Sequence, residues 1–541
     1  MSPVNRRNFI SGASALGLAS LSGSWWNNVK AARQPATGSS QAQVFIDPAF
    51  RVSQLDRNLF GSFLEHLGRA IYGGVFEPGS PLADADGFRK DVLEEIRGLG
   101  VPIVRYPGGN FVSGYEWLNG VGPEKDRPTV LDRAWHTLEP NRFGTDEFML
   151  WCKQAGVQPL MGMNLGSGTA QHAADLVEYC NVAKGTKWSD LRRANGHAEP
   201  YAVKHWCLGN EMDGPWQIGH ATAQKYGLKA ADAARQIRAI DPSVFLVACG
   251  SSGPSMPTYL EWDRQMLEQC YDVVDAVSLH RYFGDAGETG GDSRKYLAMN
   301  LTMDRQIEEV QAVCDLVRGR LRTNKTLALS FDEWNVWYRA RNGDGGEKQA
   351  PHLLEEVYNL EDALLVGGLL NTLLRHSNRV RIACLAQLVN VIAPLLTNER
   401  GVLRQTIYYP YAWALHYCHG EVLSAVVESP TYEVPGLGQV PYLDVAVTRD
   451  AESGDATVLV LNRDLDRSHQ FDLHWQGATP GRVVSSEVLT GPDLKAANTF
   501  EEPKKVFPAT LEAPRVRGAQ VTVEVPAKSY CAFRFAVDKP A

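Results

Sequence analysis

Eight short apolar runs, each followed by chain long enough for a loop and a helix, constrain the fold of this protein more than any other feature. They cover residues 59–66, 101–108, 157–166, 203–211, 244–252, 274–282, 326–335 and 380–390. Runs of this length suit strands, and strands apolar on both faces must be covered on both sides. Helical period is plain between them: Phe88, Val92, Leu93 and Ile96 share one face, and 223–240 repeats the pattern. Alternating strands and helices form parallel βα units. Eight such units predict an α/β fold, a (β/α)8 TIM barrel with insertions, over residues 59–400.

Beyond Pro410 the pattern shortens to alternating runs rich in β-branched residues, at 442–449, 457–462, 470–475, 483–489, 521–525 and 530–536. Turn signals such as Pro435-Gly436 and Gly491-Pro492-Asp493 separate them. This predicts an all-β sandwich over 401–541, joined by an N-terminal strand segment, 43–58, that has no place in the barrel. The glycine-rich segment 339–348 is expected to be a mobile loop after the seventh strand.

The first 32 residues read as an address. Arg6-Arg7 precedes an uncharged run from Phe9 to Leu21, and Val29-Lys30-Ala31 fits a small-x-Ala cleavage site. The run is shorter than the roughly 18 residues needed to span a bilayer. The expectation is a twin-arginine signal peptide, a polar linker over 33–42, and a mature protein exported to the periplasm or beyond without stable membrane insertion. Nine widely spaced cysteines without a Cys-x-x-Cys pair match no disulfide framework or metal site, and no metal or other cofactor is expected. The net charge of −8 and the absence of a basic stripe argue against nucleic acid as a partner.

In a TIM barrel the reacting groups stand at the C-terminal strand ends. Those ends here carry Glu65, Arg105 with Asn110 just beyond, Asn164, Asn210-Glu211, His280 with Tyr282, Asp332-Glu333 and Gln387. Glu211 and Glu333 end the fourth and seventh strands, across the barrel mouth. Glycoside hydrolysis needs two carboxyl groups flanking the scissile bond, one protonated and one ionised. The amides, arginine and aromatics around them suit a polyhydroxylated substrate. Strict alternation sends Asp332 to the face opposite Glu333, as a structural residue. His66 and Tyr106 are assigned to the core by the same rule, while Trp337 and Trp117, in loops after barrel strands, are expected to wall the pocket. An endo-glucanase or β-xylosidase on the same barrel, or a non-catalytic carbohydrate-binding protein, remains an alternative at this point.

Longer motifs narrow the choice. The segments Arg105-Tyr106-Pro107-Gly108-Gly109-Asn110, Leu208-Gly209-Asn210-Glu211-Met212-Asp213-Gly214-Pro215-Trp216 and Phe331-Asp332-Glu333-Trp334-Asn335-Val336-Trp337, with Phe63-Leu64-Glu65-His66 and Ala386-Gln387, resemble the α-L-arabinofuranosidases of glycoside hydrolase family 51. The resemblance implies a retaining enzyme acting on arabinofuranosyl-containing glycans, with Glu211 as acid/base and Glu333 as nucleophile. It further implies that Glu65, Arg105, Asn110, Asn210, Tyr282 and Gln387 hold the sugar, that His280 lies close to the nucleophile, and that the chain forms a homo-oligomer, often a hexamer. One local departure is His280-Arg281-Tyr282-Phe283, where relatives often carry a second tyrosine.

Overall fold

The eight apolar runs become eight parallel strands hydrogen-bonded in a closed ring in a computed structural model that describes residues 42–339, 346–477 and 480–537. They are β1 (Gly61–Phe63), β2 (Ile103–Tyr106), β3 (Gln158–Gly162), β4 (His205–Leu208), β5 (Phe245–Ala248), β6 (Ala276–Phe283), β7 (Ala328–Val336) and β8 (Val380–Leu385). The ring closes where β8 pairs with β1. Inside it, Phe63, Ile103, Leu160, Cys207, Val247, Ala276, Ile382 and Cys384 fill the interior as one cluster, so the barrel is a solid core and not a pore. All nine cysteines are buried as free thiols. The leader, most of the linker and the greater part of the expected mobile loop lie outside the described residues.

The strand Ala42–Gln54 joins the C-terminal β-region, pairing antiparallel with Glu421–Glu428 and parallel with His469–Trp475. The resulting ten-stranded sheet doubles over. Val44, Phe471 and Leu473 from one half thereby share a core with Val445, Val458 and Phe533 from the other. The helix Leu360–Arg375 is buried along nearly its whole length between barrel and sheet, which explains why its sequence is apolar all round. At this junction Asp444 is buried and accepts from Arg463 Nη2 (2.7 Å), Arg375 Nη1 (2.8 Å) and Asn371 Nδ2 (2.9 Å). The two guanidinium groups hold its carboxyl far below the usual carboxylate range against the opposing cost of burial.

One departure from strand alternation decides the site. On β7 and β6, Ser330 pairs with Ser278 but Glu333 pairs with His280, so β7 carries one extra residue between the two registers. The same shift recurs against β8. This β-bulge turns both Asp332 and Glu333 inward, which corrects the expected outward direction of Asp332. Its carboxylate lies inside the barrel, accepting from Ser278 Oγ at 2.5 Å and lying 3.4 Å from Cys207 Sγ.

Candidate active site

The strand ends converge on one polar pocket. Arg105, entirely buried on β2, donates from Nη1 to Glu333 Oε1 (2.5 Å) and from Nη2 to Asn210 Oδ1 (2.8 Å). Tyr282 donates its hydroxyl to the other oxygen of Glu333 (2.8 Å). Both oxygens of Glu333 are thus fixed, and the carboxylate faces an arginine.

His280 stands between the acids. Its Nδ1 lies 3.0 Å from Glu211 Oε1 and 3.6 Å from Glu333 Oε2, and its Nε2 lies 3.0 Å from Asp332 Oδ1. Burial alone would disfavour the imidazolium, but the charges of Glu333, Asp332 and Glu211 raise its pKa to about 10. Asp332 is in turn held down to about 2, burial being outweighed by Arg105 and His280. Glu211, His280 and Glu333 present ligand-type atoms within 4.8 Å of one another, the spacing that would suit a cation. Here a histidine and an arginine supply the positive charge between the carboxyl groups.

Glu211 differs from Glu333. Its backbone is in the left-handed region (φ 43°), a conformation uncommon for a residue with a side chain. A tight turn holds it there, with Gly214 N donating to Glu211 O at 2.8 Å and Asp213 anchored by Ser251 Oγ at 2.7 Å. Burial raises the Glu211 pKa, the His280 hydrogen bond opposes this, and the charge of Glu333 adds to it. Glu211 therefore holds a proton more readily than a free glutamate does, beside a Glu333 carboxylate that accepts from Arg105 and Tyr282.

Glu65 forms the floor. Its Oε1 accepts from Phe111 N (2.9 Å) and Trp135 Nε1 (3.1 Å), and burial pushes its pKa up to about 8. With Oε1 occupied as an acceptor, a proton on Oε2 becomes an O–H donor toward the pocket. Gln387 Oε1 accepts from the Glu65 backbone N–H (2.9 Å). Asn210 Nδ2 is buried and has no hydrogen-bond partner among the described residues, an open donor beside both acids. Gly109 marks the space between these groups: a Cβ there would lie 2.9 Å from Glu333 Oε1 and 3.5 Å from both Asn210 Nδ2 and Glu65 Oε2.

Of the residues singled out from sequence, Glu65, Arg105, Asn210, Glu211, His280, Tyr282, Glu333 and Gln387 meet here. Asn110, half-buried, follows Gly109 and precedes the short helical turn Phe111–Gly114. Trp337 stands edge-on to Tyr282 with ring centroids 5.4 Å apart, beside a cavity of about 420 Å³ that Arg339, Asn359 and Lys495 also line. Trp117 does not reach the pocket. It is buried behind the strands against Tyr179 and Trp188, because its short helical turn folds under the helix layer. His66 and Tyr106 belong to the core as expected, Tyr106 stacking on Phe148 at 4.1 Å and bonded to His66 Nε2 at 2.9 Å. Sequence reasoning missed Trp135, which comes from a hairpin, and Trp216, which sits within a quoted motif and donates from Nε1 to Glu211 Oε2 at 2.8 Å.

Comparison with known proteins agrees with this geometry. The model of an α-L-arabinofuranosidase 1 domain matches residues 95–289, and that of an α-L-arabinofuranosidase C-terminal domain matches 332–529. The chain is 47% identical over 472 residues to intracellular exo-α-(1→5)-L-arabinofuranosidase 1 of Bacillus subtilis, covering 86% of this chain and 93% of the relative. It is 43% identical to an exo-α-(1→6)-L-arabinofuranosidase of Bifidobacterium longum, covering 91% and 97%. A solved family 51 α-L-arabinofuranosidase from Bifidobacterium longum superposes with a TM-score of 0.88 at 39% identity, covering 92% of this chain and all of that one.

These findings also correct one expectation. Relatives from Bacillus subtilis, Halalkalibacterium halodurans, Streptomyces lividans and Acetivibrio thermocellus are named intracellular, which overturns the reading of an exported protein. The reading rested on two arginines and a short apolar run, a pattern with little chemistry to make it specific, and no helix among the described residues is long and apolar enough to cross a membrane. By the identity and coverage of these relatives, the chain belongs to the α-L-arabinofuranosidases of glycoside hydrolase family 51.

Proposed function

We propose that this protein is a retaining, exo-acting α-L-arabinofuranosidase that releases terminal α-L-arabinofuranosyl residues from arabinose-containing polysaccharides or oligosaccharides. The observation that carries the retaining mechanism is the spacing of the acids: an oxygen of Glu211 and one of Glu333 lie within 4.8 Å. Retaining enzymes hold the two carboxyl groups about 5 to 5.5 Å apart, whereas inverting enzymes leave about 6.5 to 9.5 Å for a water molecule. The names of the relatives, most of them exo-acting, support action at chain ends.

Glu333, oriented by Arg105 and Tyr282, attacks the anomeric carbon while Glu211 gives its proton to the departing oxygen. The ester formed at Glu333 carries no charge. The Glu333 charge that adds to the effect of burial on the Glu211 pKa is then gone, and Glu211, left ionised by the first step, takes a proton from the water that releases arabinose. Glu65, Asn110, Asn210 and Gln387 hold the furanose hydroxyls, and Trp337 with Tyr282 forms an apolar wall. The charged His280 keeps the two acids from repelling each other. The family resemblance supports assembly of the 59.6 kDa chain into a hexamer, which light scattering would read as a sixfold particle mass.

Proton NMR during hydrolysis of a nitrophenyl α-L-arabinofuranoside tests the mechanism. The first-formed arabinose should keep its anomeric configuration, and inversion would refute the reading. Glu333→Ala should lose about a thousandfold or more in kcat; near-normal turnover would remove Glu333 from its role.

A further inference from the structure

Glu65 and His66 are consecutive, just beyond β1, and their side chains leave the chain on opposite sides, Glu65 into the pocket and His66 into the core behind it. His66 is buried there with Glu139, the last residue of the hairpin formed by Val130–Asp132 and Thr137–Glu139. His66 Nδ1 lies 2.8 Å from Glu139 Oε2, while Glu139 Oε1 accepts from the Tyr72 hydroxyl at 2.5 Å and from Asn141 N at 2.7 Å. A carboxylate only accepts, which places a proton on Nδ1 and, in the neutral ring, leaves Nε2 to accept the Tyr106 O–H at 2.9 Å. The pair ties the hairpin to the end of the first barrel strand.

Both donors to Glu65 Oε1 depend on that tie. Trp135, from the turn of the hairpin, donates its Nε1 proton at 3.1 Å, and Asp132 shapes the turn by accepting from Ala134 N (3.0 Å) and Trp135 N (2.9 Å). Phe111 supplies the second donor, its backbone N–H at 2.9 Å, and its ring stacks on His66 with centroids 4.7 Å apart and 19° between the planes. One histidine therefore packs against the residue that gives one donor and is bonded to the hairpin that gives the other. The terminal torsion of a glutamate is broad, so these donors decide which of its oxygens faces the substrate.

We propose that the His66–Glu139 pair is a positioning element for the sugar pocket: it seats the hairpin and Phe111 so that both donors fall on Glu65 Oε1 and leave Oε2 toward the substrate. This rests on the assignment of Glu65 to the sugar hydroxyls. Neither member of the pair touches the substrate, and both act through Glu65.

The test reads KM and the inhibition constant of free arabinose for the full chain acting on a nitrophenyl arabinofuranoside. Glu139→Ala, which unties the hairpin, should raise both constants about tenfold and change kcat less than about threefold, because a contact that holds a hydroxyl throughout is lost from ground and transition states alike. Glu139→Gln keeps the shape and, with the His66 proton moved to Nε2, keeps a hydrogen bond to the ring, so both constants should stay within about threefold of the parent. Trp135→Phe leaves the buried pair untouched and carries the test even where Glu139→Ala does not fold; it should raise both constants about three- to tenfold. Unchanged constants in either Glu139→Ala or Trp135→Phe would overturn the proposal. Glu65→Ala supplies the background that separates positioning from mere structure. With no carboxyl group left to place, adding Glu139→Ala there should change both constants by less than about twofold. A full tenfold loss on top of Glu65→Ala would overturn the positioning role alone. Glu65→Ala by itself should raise the arabinose inhibition constant, and an unchanged value would overturn the assignment of Glu65 to the sugar.

Discussion

Replacing Asp332 by Asn keeps the shape of a fully buried side chain and removes its charge. Three groups feel the loss. His280 Nε2 at 3.0 Å loses its anionic partner, Ser278 Oγ at 2.5 Å faces an amide, and Arg105 Nε at 3.9 Å keeps only Glu333 as a carboxylate counterion. With a folded pKa of about 2 against 3.8 for a free aspartate, the ionised Asp332 contributes about 2 kcal/mol to stability. A depressed carboxyl pKa gives stability that is complete above the unfolded value and lost as the pH falls from about 4 toward 2. Leaving Arg105 and His280 short of an anion adds to the loss, for a total of about 3 kcal/mol at pH 7, the lower end for breaking a buried ion pair, because Glu333 remains. The urea midpoint of Asp332→Asn should therefore lie well below that of the parent enzyme at pH 7, and the gap should narrow below pH 4. The His280 pKa should also drop from about 10, so the stability held by its raised value, complete below about 6.5, is lost at lower pH on the alkaline side. Nitrogen-15 NMR of the imidazole would show that shift directly, and activity should fall with it. A variant as stable as the parent at pH 7, with an unchanged His280 titration, would refute the bulge-based account of Asp332.

Gly109→Ala places a methyl group 2.9 Å from Glu333 Oε1, so the carboxylate must move by a few tenths of an ångström. A displacement of that size should cost about 10- to 100-fold in kcat/KM with an unchanged melting temperature. Tyr282→Phe removes a hydrogen bond to a charged carboxylate, worth about 1.5 to 3 kcal/mol, and should lower kcat about 10- to 100-fold with little change in KM. Asp444→Ala strands the buried Arg463 guanidinium and the half-buried Arg375 at the barrel-sheet junction and should destabilise the protein by about 3 kcal/mol, read by chemical denaturation, while the folded fraction keeps its kcat.

The legible part of this protein is what repeats or what chemistry spells out. Apolar runs at 101–108 and 203–211 must be covered strands because water excludes both of their faces, and eight of them with helices between close into a barrel. Once the barrel is assumed, Glu211 and Glu333 follow as strand-end acids, since that face is where side chains leave the core. Period alone could not reveal the bulge on β7, because an extra residue changes the direction of Asp332 without changing any residue type. Nor could it place Trp117 in the core and Trp216 at the pocket, both loop tryptophans in equally polar surroundings, since a loop is positioned by what it packs against. The sequence alone determined the barrel and its two acids; tertiary contacts decided which neighbours hold them, because the burial and charge that set each protonation state exist only once distant strand ends meet.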